Sequence, residues 1–98
     1  MKLPLLVRRV QGLSMLPNLK PGKIVIGWNY GKPKVGEIII FRHNGLEKIK
    51  RVGNIDHDKF FVFGDSPNDS TDSRQFGSID TDQILARVVW PRKTKIEK

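Results

Sequence analysis

Two lysines, Lys48 and Lys50, share one face of a predicted strand with Leu46 and Val52. A serine hydroxyl becomes a good nucleophile only when a base removes its proton, and lysine can be that base only when its amine is neutral. The pKa of a free lysine, about 10.4, must then fall to about 7, at a cost of roughly 4 kcal/mol of lost ammonium solvation. Burial on an apolar strand face provides such a shift. The pattern therefore predicts either a Ser-Lys hydrolytic site or two lysines whose charged ends reach water from an edge strand.

Other site chemistries find little support in the composition. The chain has no cysteine, so disulfides and thiolate catalysis are excluded. His43 and His57 lie far apart and lack cysteine neighbours, so we expect neither a metal nor a cofactor. Asp65, Asp69 and Asp72 do not fall on the alternate positions of a calcium-binding loop.

The net charge of +8 favours an acidic partner, which could be nucleic acid, an anionic membrane surface or an acidic protein. A solvated basic surface explains the same charge more simply. Much of the excess lies in residues 20–34 and in the basic tail at 92–98. Neither region interleaves lysines with aromatic residues as a single-strand binding groove does, so no nucleic-acid partner is expected.

The 98 residues predict one domain, 1–98, with a frayed tail from about residue 92. Six short apolar runs separated by turn signals predict an all-β fold, a small compact barrel or folded sheet with little helix. The Asn-Gly pair in "HNG" at 43–45 predicts a tight hairpin. The predicted strands are 5–10, 23–28, 37–42, 46–52, 59–64 and 83–91.

The segment 65–82 is polar and long for a structureless connection in so small a domain, which is typical of functional or disordered loops. Its Asp, Ser, Asn and Thr side chains suit local hydrogen bonds to the backbone. Arg74 lies among carboxylates and is expected to pair with one of them.

No stretch approaches the roughly 20 apolar residues of a spanning helix, and the short run at 5–7 is followed at once by Arg8 and Arg9. We therefore expect a soluble, cytoplasmic chain, with peripheral membrane contact as the alternative.

Three segments, "GLSMLPNL", "EKIKRV" and "GDSPNDSTDSR", resemble the three sequence boxes of the signal peptidase I family of Ser-Lys proteases. They occur in the family's order and cover most of the chain. The matching residues are Ser14, Met15, Pro17, Lys50, Arg51, Gly64, Asp65, Ser70, Asp72, Ser73 and Arg74, followed by Phe76 and Gly77.

The resemblance implies a role for each matching site residue. Ser14 is the implied acylating nucleophile, and Lys50, which precedes an arginine as in the family box, is the implied base in preference to Lys48. Ser70 corresponds to the serine that orients the lysine amine. Asp72 and Arg74 correspond to a structural pair that holds this loop against the site.

The resemblance also implies a substrate cleft. Met15 and Pro17 would line it, and the main-chain N–H of Ser14 would donate to the oxyanion. The backbone of Gly12 is implied to lie near the oxyanion hole, at the position where many relatives carry a serine whose hydroxyl is a second donor; glycine has no hydroxyl, so the resemblance leaves the second donor open. The expected partner is a protein precursor bound as an added extended strand.

The chain looks most like the small nickel-type superoxide dismutase maturation proteases, on the strength of its "RRVQGLSMLP" and "ARVVWP" segments. It departs from the wider family at Lys23, Glu37, Ser66 and Pro67, and it shows no membrane-spanning segment or inserted β-domain. The implied activity is removal of an N-terminal extension from a nickel superoxide dismutase precursor. The oligomeric state stays open.

Three alternatives remain at this level. The first is a signal peptidase that acts on secretory leader peptides at the membrane surface. The second is a self-cleaving repressor of the LexA type, for which the chain's one alanine, Ala86, offers no upstream Ala-Gly target. The third is a basic β-barrel that binds nucleic acid without chemistry and would show strong salt dependence.

Overall fold

The computed structural model describes residues 4–92 and shows an antiparallel sheet of seven strands with little helix. The all-β prediction is confirmed, while the predicted fraying at 93–98 lies outside the described residues. The strands are β1 Leu5–Arg9, β2 Ile24–Trp28, β3 Ile38–His43, β4 Leu46–Asp56, β5 Lys59–Phe63, β6 Ile79–Asp80 and β7 Ile84–Trp90. Short 3₁₀ turns occupy Pro67–Asp69 and Thr81–Gln83, and helix α1 is Ser73–Phe76.

The strand order is β1-β2-β7-β3-β4-β5-β6, which leaves β1 and β6 at the two ends. Strand β4 changes neighbours along its length. Residues Leu46 to Arg51 pair with β3, whereas β5 pairs with β4 only from Arg51 onward. Among residues 4–92, the first half of β4 therefore has a sheet partner on one edge alone.

Strand β3 is buried on both faces, which explains why its sequence is a continuous apolar run without alternation. Ile38 and Ile40 join one cluster with Val10, Met15, Leu19, Val25 and Ala86. Ile39 and Phe41 join a second cluster with Val52, Phe60, Val62 and Ile79. The two clusters lie on opposite sides of the sheet, and β3 couples them.

The predicted strands differ from the observed ones mainly around β4. It continues through Asp56, past the predicted end at Val52, with a register shift between Val52 and Asn54. The two-residue strand β6 was not predicted, because Ile79 is a single apolar residue within a polar segment. The Asn-Gly hairpin is confirmed, with positive φ at Asn44 (50°) and Gly45 (76°).

The interval 65–82 is not structureless. It contains the first 3₁₀ turn, helix α1, strand β6 and the start of the second 3₁₀ turn. Side-chain hydrogen bonds to the backbone, of the predicted kind, order this interval. One detail of the predicted lysine-bearing face is wrong: Leu46 is 62% exposed and does not help to bury the lysines. No helix in the described part of the chain has the length and apolar character needed to cross a bilayer.

Candidate active site

Lys50 is a buried lysine in the middle of the sheet. Its backbone pairs with Ile39 of β3. Because residues two apart in a strand share a face, the Lys50 side chain lies on the same side of the sheet as Val52 and the second apolar cluster. Only 6% of the residue is exposed. Burial lowers the pKa of the Lys50 amine, and the neighbouring charge of Lys48 lowers it further, while Asp72 opposes the change. The neutral amine is thereby favoured.

Ser70 connects this amine to a buried carboxylate. The Lys50 Nζ donates to Ser70 Oγ at 3.1 Å, and Ser70 Oγ donates to Asp72 Oδ2 at 2.7 Å. Because the hydroxyl proton of Ser70 is directed at Asp72, its lone pairs face the amine. A neutral amine that donates one N–H to Ser70 has its own lone pair free to accept a proton elsewhere.

Asp72 is fully buried and ionised. Burial alone would raise its pKa, but hydrogen bonds from Arg74, Ser70 and the Gly64 N–H hold that pKa well below its usual range. The Gly64 N–H donates to Oδ2 at 2.8 Å and the Arg74 Nε donates to Oδ1 at 2.9 Å. The expected pairing of Arg74 with a carboxylate is thus found, and the Arg74 charge partly offsets the effect of Asp72 on the Lys50 pKa.

Gly64 is the point where three chain segments meet. A Cβ added there would lie 2.4 Å from Ser70 Oγ and 2.7 Å from the Ser14 carbonyl oxygen, closer than side-chain atoms approach in proteins. Two residues further on, the Ser66 N–H donates to that same carbonyl of Ser14 at 2.8 Å. The absence of a side chain at Gly64 therefore lets the loop of Ser70 pack directly on the loop of Ser14.

A buried ion pair holds the same segments to β4. Arg51 donates to Asp65 through Nε at 2.8 Å and Nη2 at 2.7 Å, a bidentate arrangement. Its Nη1 donates to the Gly36 carbonyl, and Asn18 from the Ser14 loop donates to Asp65 Oδ2 at 2.8 Å. Asp65 thus fixes the position of the Ser14 loop relative to the strand that carries Lys50.

Ser14 and Lys50 line the same cleft, of about 590 Å³. Its walls are residues 8–11 and 14–15 on one side and 46–50, the half-paired part of β4, on the other. Met15 lies in this cleft as expected. Pro17 instead lines a second pocket of about 260 Å³, with Arg51, Phe63 and Gly64.

Gly12 lies on the exposed approach to Ser14, and its φ of 77° is in the left-handed region. A side chain at this position would meet no atom within 4 Å, so its backbone conformation, and not crowding, favours glycine.

Sequence reasoning did not assign the positioning roles of Gly64, Asp65, Arg51 and Asn18. The first three belong to the matched boxes, so their identity was noted without a function. Nothing in the sequence distinguishes Asn18 from other polar loop residues, because its role depends on a contact 47 positions away.

Residues 45–92 match the family described as signal peptidase, peptidase S26. The match contains Lys50, Ser70 and Asp72, while Ser14 precedes it. No curated protein matches the chain. The family match supports a serine protease of the signal peptidase type.

We expect Arg51→Met to lower the free energy of unfolding by about 3–5 kcal/mol in urea denaturation, because it leaves Asp65 as an unpaired buried carboxylate. Adding Asp65→Asn should recover much of the loss, since the lone charge is then gone. Arg42→Met is the matched control: its side chain is 57% exposed, so a change below about 1 kcal/mol is expected. A double variant no more stable than Arg51→Met would contradict this account.

Proposed function

We propose that this protein is a serine endopeptidase of the signal peptidase type, in which Ser14 is the nucleophile and Lys50 is the general base. The observation that carries the proposal is the buried amine of Lys50, hydrogen-bonded to Ser70 at 3.1 Å in a cleft that Ser14 also lines. A lysine in such surroundings titrates below its ordinary range, as a base that works near neutral pH requires.

The reaction follows from these groups. Neutral Lys50 accepts the hydroxyl proton of Ser14 while Oγ attacks the substrate carbonyl carbon, and the main-chain N–H of Ser14 donates to the resulting oxyanion. The intermediate collapses, and the Lys50 ammonium gives its proton to the departing amine. Lys50 then takes a proton from the water that attacks the Ser14 ester, and it returns that proton to Oγ when the acid product leaves.

The cleft suits a substrate in extended conformation. Within residues 4–92, strand β1 is paired with β2 alone and the first half of β4 is paired with β3 alone. Both strands contribute walls to the cleft, so a substrate strand can hydrogen-bond to exposed backbone on either side. A folded segment would not reach these backbone groups, which favours a flexible N-terminal extension as the substrate.

We propose an N-terminally extended nickel superoxide dismutase as the precursor, on the resemblance of residues 8–17 and 86–91 to the maturation proteases for that enzyme. The net charge of +8 would help to attract an acidic precursor.

A second candidate, cleavage of secretory leader peptides at a membrane surface, is favoured by an exposed aromatic patch. Trp28 and Tyr30 are exposed, with ring centroids 5.5 Å apart, and Trp90 is exposed on β7, the strand that pairs with β2. The Lys23 ammonium lies 4.8 Å from the Trp90 ring centroid. Aromatic rings flanked by lysine suit a lipid headgroup region.

Incubation with two precursors separates the candidates and tests the site. One is extended nickel superoxide dismutase in solution, and the other is a secretory precursor on vesicles of anionic lipid, each followed by mass measurement of the fragments. Ser14→Ala, Lys50→Met and Lys50→Arg should each abolish cleavage, because the nucleophile or the neutral base is lost. Cleavage that persists in Lys50→Met would refute the assignment of the base.

Lys50→Met also has an expected effect on stability that shows whether the variant is folded. The Lys50 pKa is lowered on folding, so wild-type stability rises with pH between the folded and unfolded lysine pKa values. Below that window the variant should therefore exceed the wild type in free energy of unfolding, as measured by urea denaturation.

Lys48→Met should stay active with an altered pH profile. The charge of Lys48 helps to lower the Lys50 pKa, so its removal raises that pKa. Since the base acts when neutral, the acidic limb of kcat/KM should move to higher pH, with the rate on the alkaline plateau retained. A profile identical to that of the wild type would show that Lys48 does not act on the base.

Gly64→Ala should reduce cleavage at least tenfold, because its methyl group would displace Ser70 or the carbonyl of Ser14. Gly27→Ala is the control: a Cβ there would lie 2.7 Å from the Ala86 Cβ, which is also too close, although less crowded than Gly64, and the site is in the core away from the cleft. Both variants should lose stability by about 1–3 kcal/mol. Equal loss of cleavage in the two variants would mean that general destabilisation explains the effect.

A further inference from the structure

An ion pair crosses the cleft between its two walls. Arg8 of β1 donates through Nε to one carboxylate oxygen of Glu47 in β4 and through Nη2 to the other at 3.3 Å. The two residues are 39 positions apart and both line the cleft. The pair therefore lies across the path that an extended substrate takes between β1 and β4.

Strand geometry shows where the ion pair lies along the cleft. Glu47 and Ile49 are two residues apart on β4, so they share a face, and Ile49 packs against the same cluster as Val10 and Met15. Leu6 and Val10, which flank Arg8 at two-residue intervals, also belong to that side. A substrate strand would thus place one side chain over Ile49, which precedes Lys50 in β4 and lines the same cleft, and another, two residues and about 7 Å away, over the ion pair.

The charge around this second position is positive. The residues that line the cleft include Arg8, Arg9 and Lys48 in addition to the base, against one carboxylate, Glu47. Glu47 also has the Arg42 guanidinium at 3.9 Å, so two arginines share a single carboxylate. The Arg8 side chain is 39% exposed, so its outer edge can be reached from the cleft.

We propose that Arg8 is a specificity-determining residue that selects a substrate with an acidic side chain two residues from the one that packs over Ile49. The acid competes with Glu47 for the Arg8 guanidinium, and Arg42 remains to balance Glu47. This inference rests on the proposed peptidase function. It implies a two-part recognition pattern, an apolar side chain over Ile49 and a carboxylate at the next position on the same face.

The test uses an end-blocked peptide mixture from a proteome digest, with every cut site sequenced by mass spectrometry. For the wild type, Asp and Glu should be enriched about fivefold at a single position, two residues from the one restricted to apolar side chains. Arg8→Gln should abolish the enrichment. Glu47→Gln should increase it, since the competing carboxylate is gone.

Arg9→Gln is the matched control, because it removes the same charge from the adjacent residue, whose guanidinium instead donates to the Gly22 carbonyl. It should retain the enrichment. Equal loss in the Arg8 and Arg9 variants, or no enrichment in the wild type, would overturn the inference while cleavage itself leaves the proposed function intact. No cleavage by the wild type, or cuts that persist in Ser14→Ala, would refute the peptidase proposal itself.

Discussion

The buried amine of Lys50 and the hydrogen bond that it gives to Ser70 impose the strictest requirement on this structure. An amine in water is charged at neutral pH, whereas one held among Ile39 and Val52 loses much of its hydration. The nearby carboxylate of Asp72 opposes this effect, although less strongly than burial promotes it. Arg74 partly offsets the charge of Asp72, and burial outweighs the remainder, so Asp72 can direct the Ser70 hydroxyl while the neutral amine stays favoured. The fold must therefore bring both Asp72 and Arg74 close to Lys50, because a carboxylate without its arginine would favour the charged amine more strongly.

The sheet meets this requirement by converging three segments on one point. Gly64 permits contact between the loops of Ser14 and Ser70, and Asp65 fixes the first of these loops to β4 through Arg51. Since Lys50 and Arg51 are consecutive in a strand, their side chains point to opposite faces. One face carries the proposed base and the other carries the anchor that holds the nucleophile loop. Two adjacent residues of one strand thereby have different tasks: Lys50 is the proposed base, and Arg51 holds the nucleophile loop in place.

Much of the fold was predictable because the local signals agreed with the tertiary structure. The apolar run of β3, the alternation in β2 and the Asn-Gly hairpin each indicated the element that forms. Strand β6 escaped prediction because its pairing with β5, and not its composition, defines it. The lysine-bearing strand was predicted, but Leu46 was expected to bury it and is exposed instead. The roles of Asn18 and Gly64 depend on contacts between distant segments, which no local pattern encodes.

The half-paired edge of β4 has a consequence for the protein in the absence of substrate. Unsatisfied N–H and C=O groups along a strand edge can template the backbone of another copy, which is the usual route to edge-to-edge aggregation. Here Arg8, Glu47 and Lys48 border that edge. A second copy brought to the same edge would have to desolvate these charges, a penalty that opposes self-association. The charged residues that border the proposed substrate site therefore also oppose aggregation of the protein with itself.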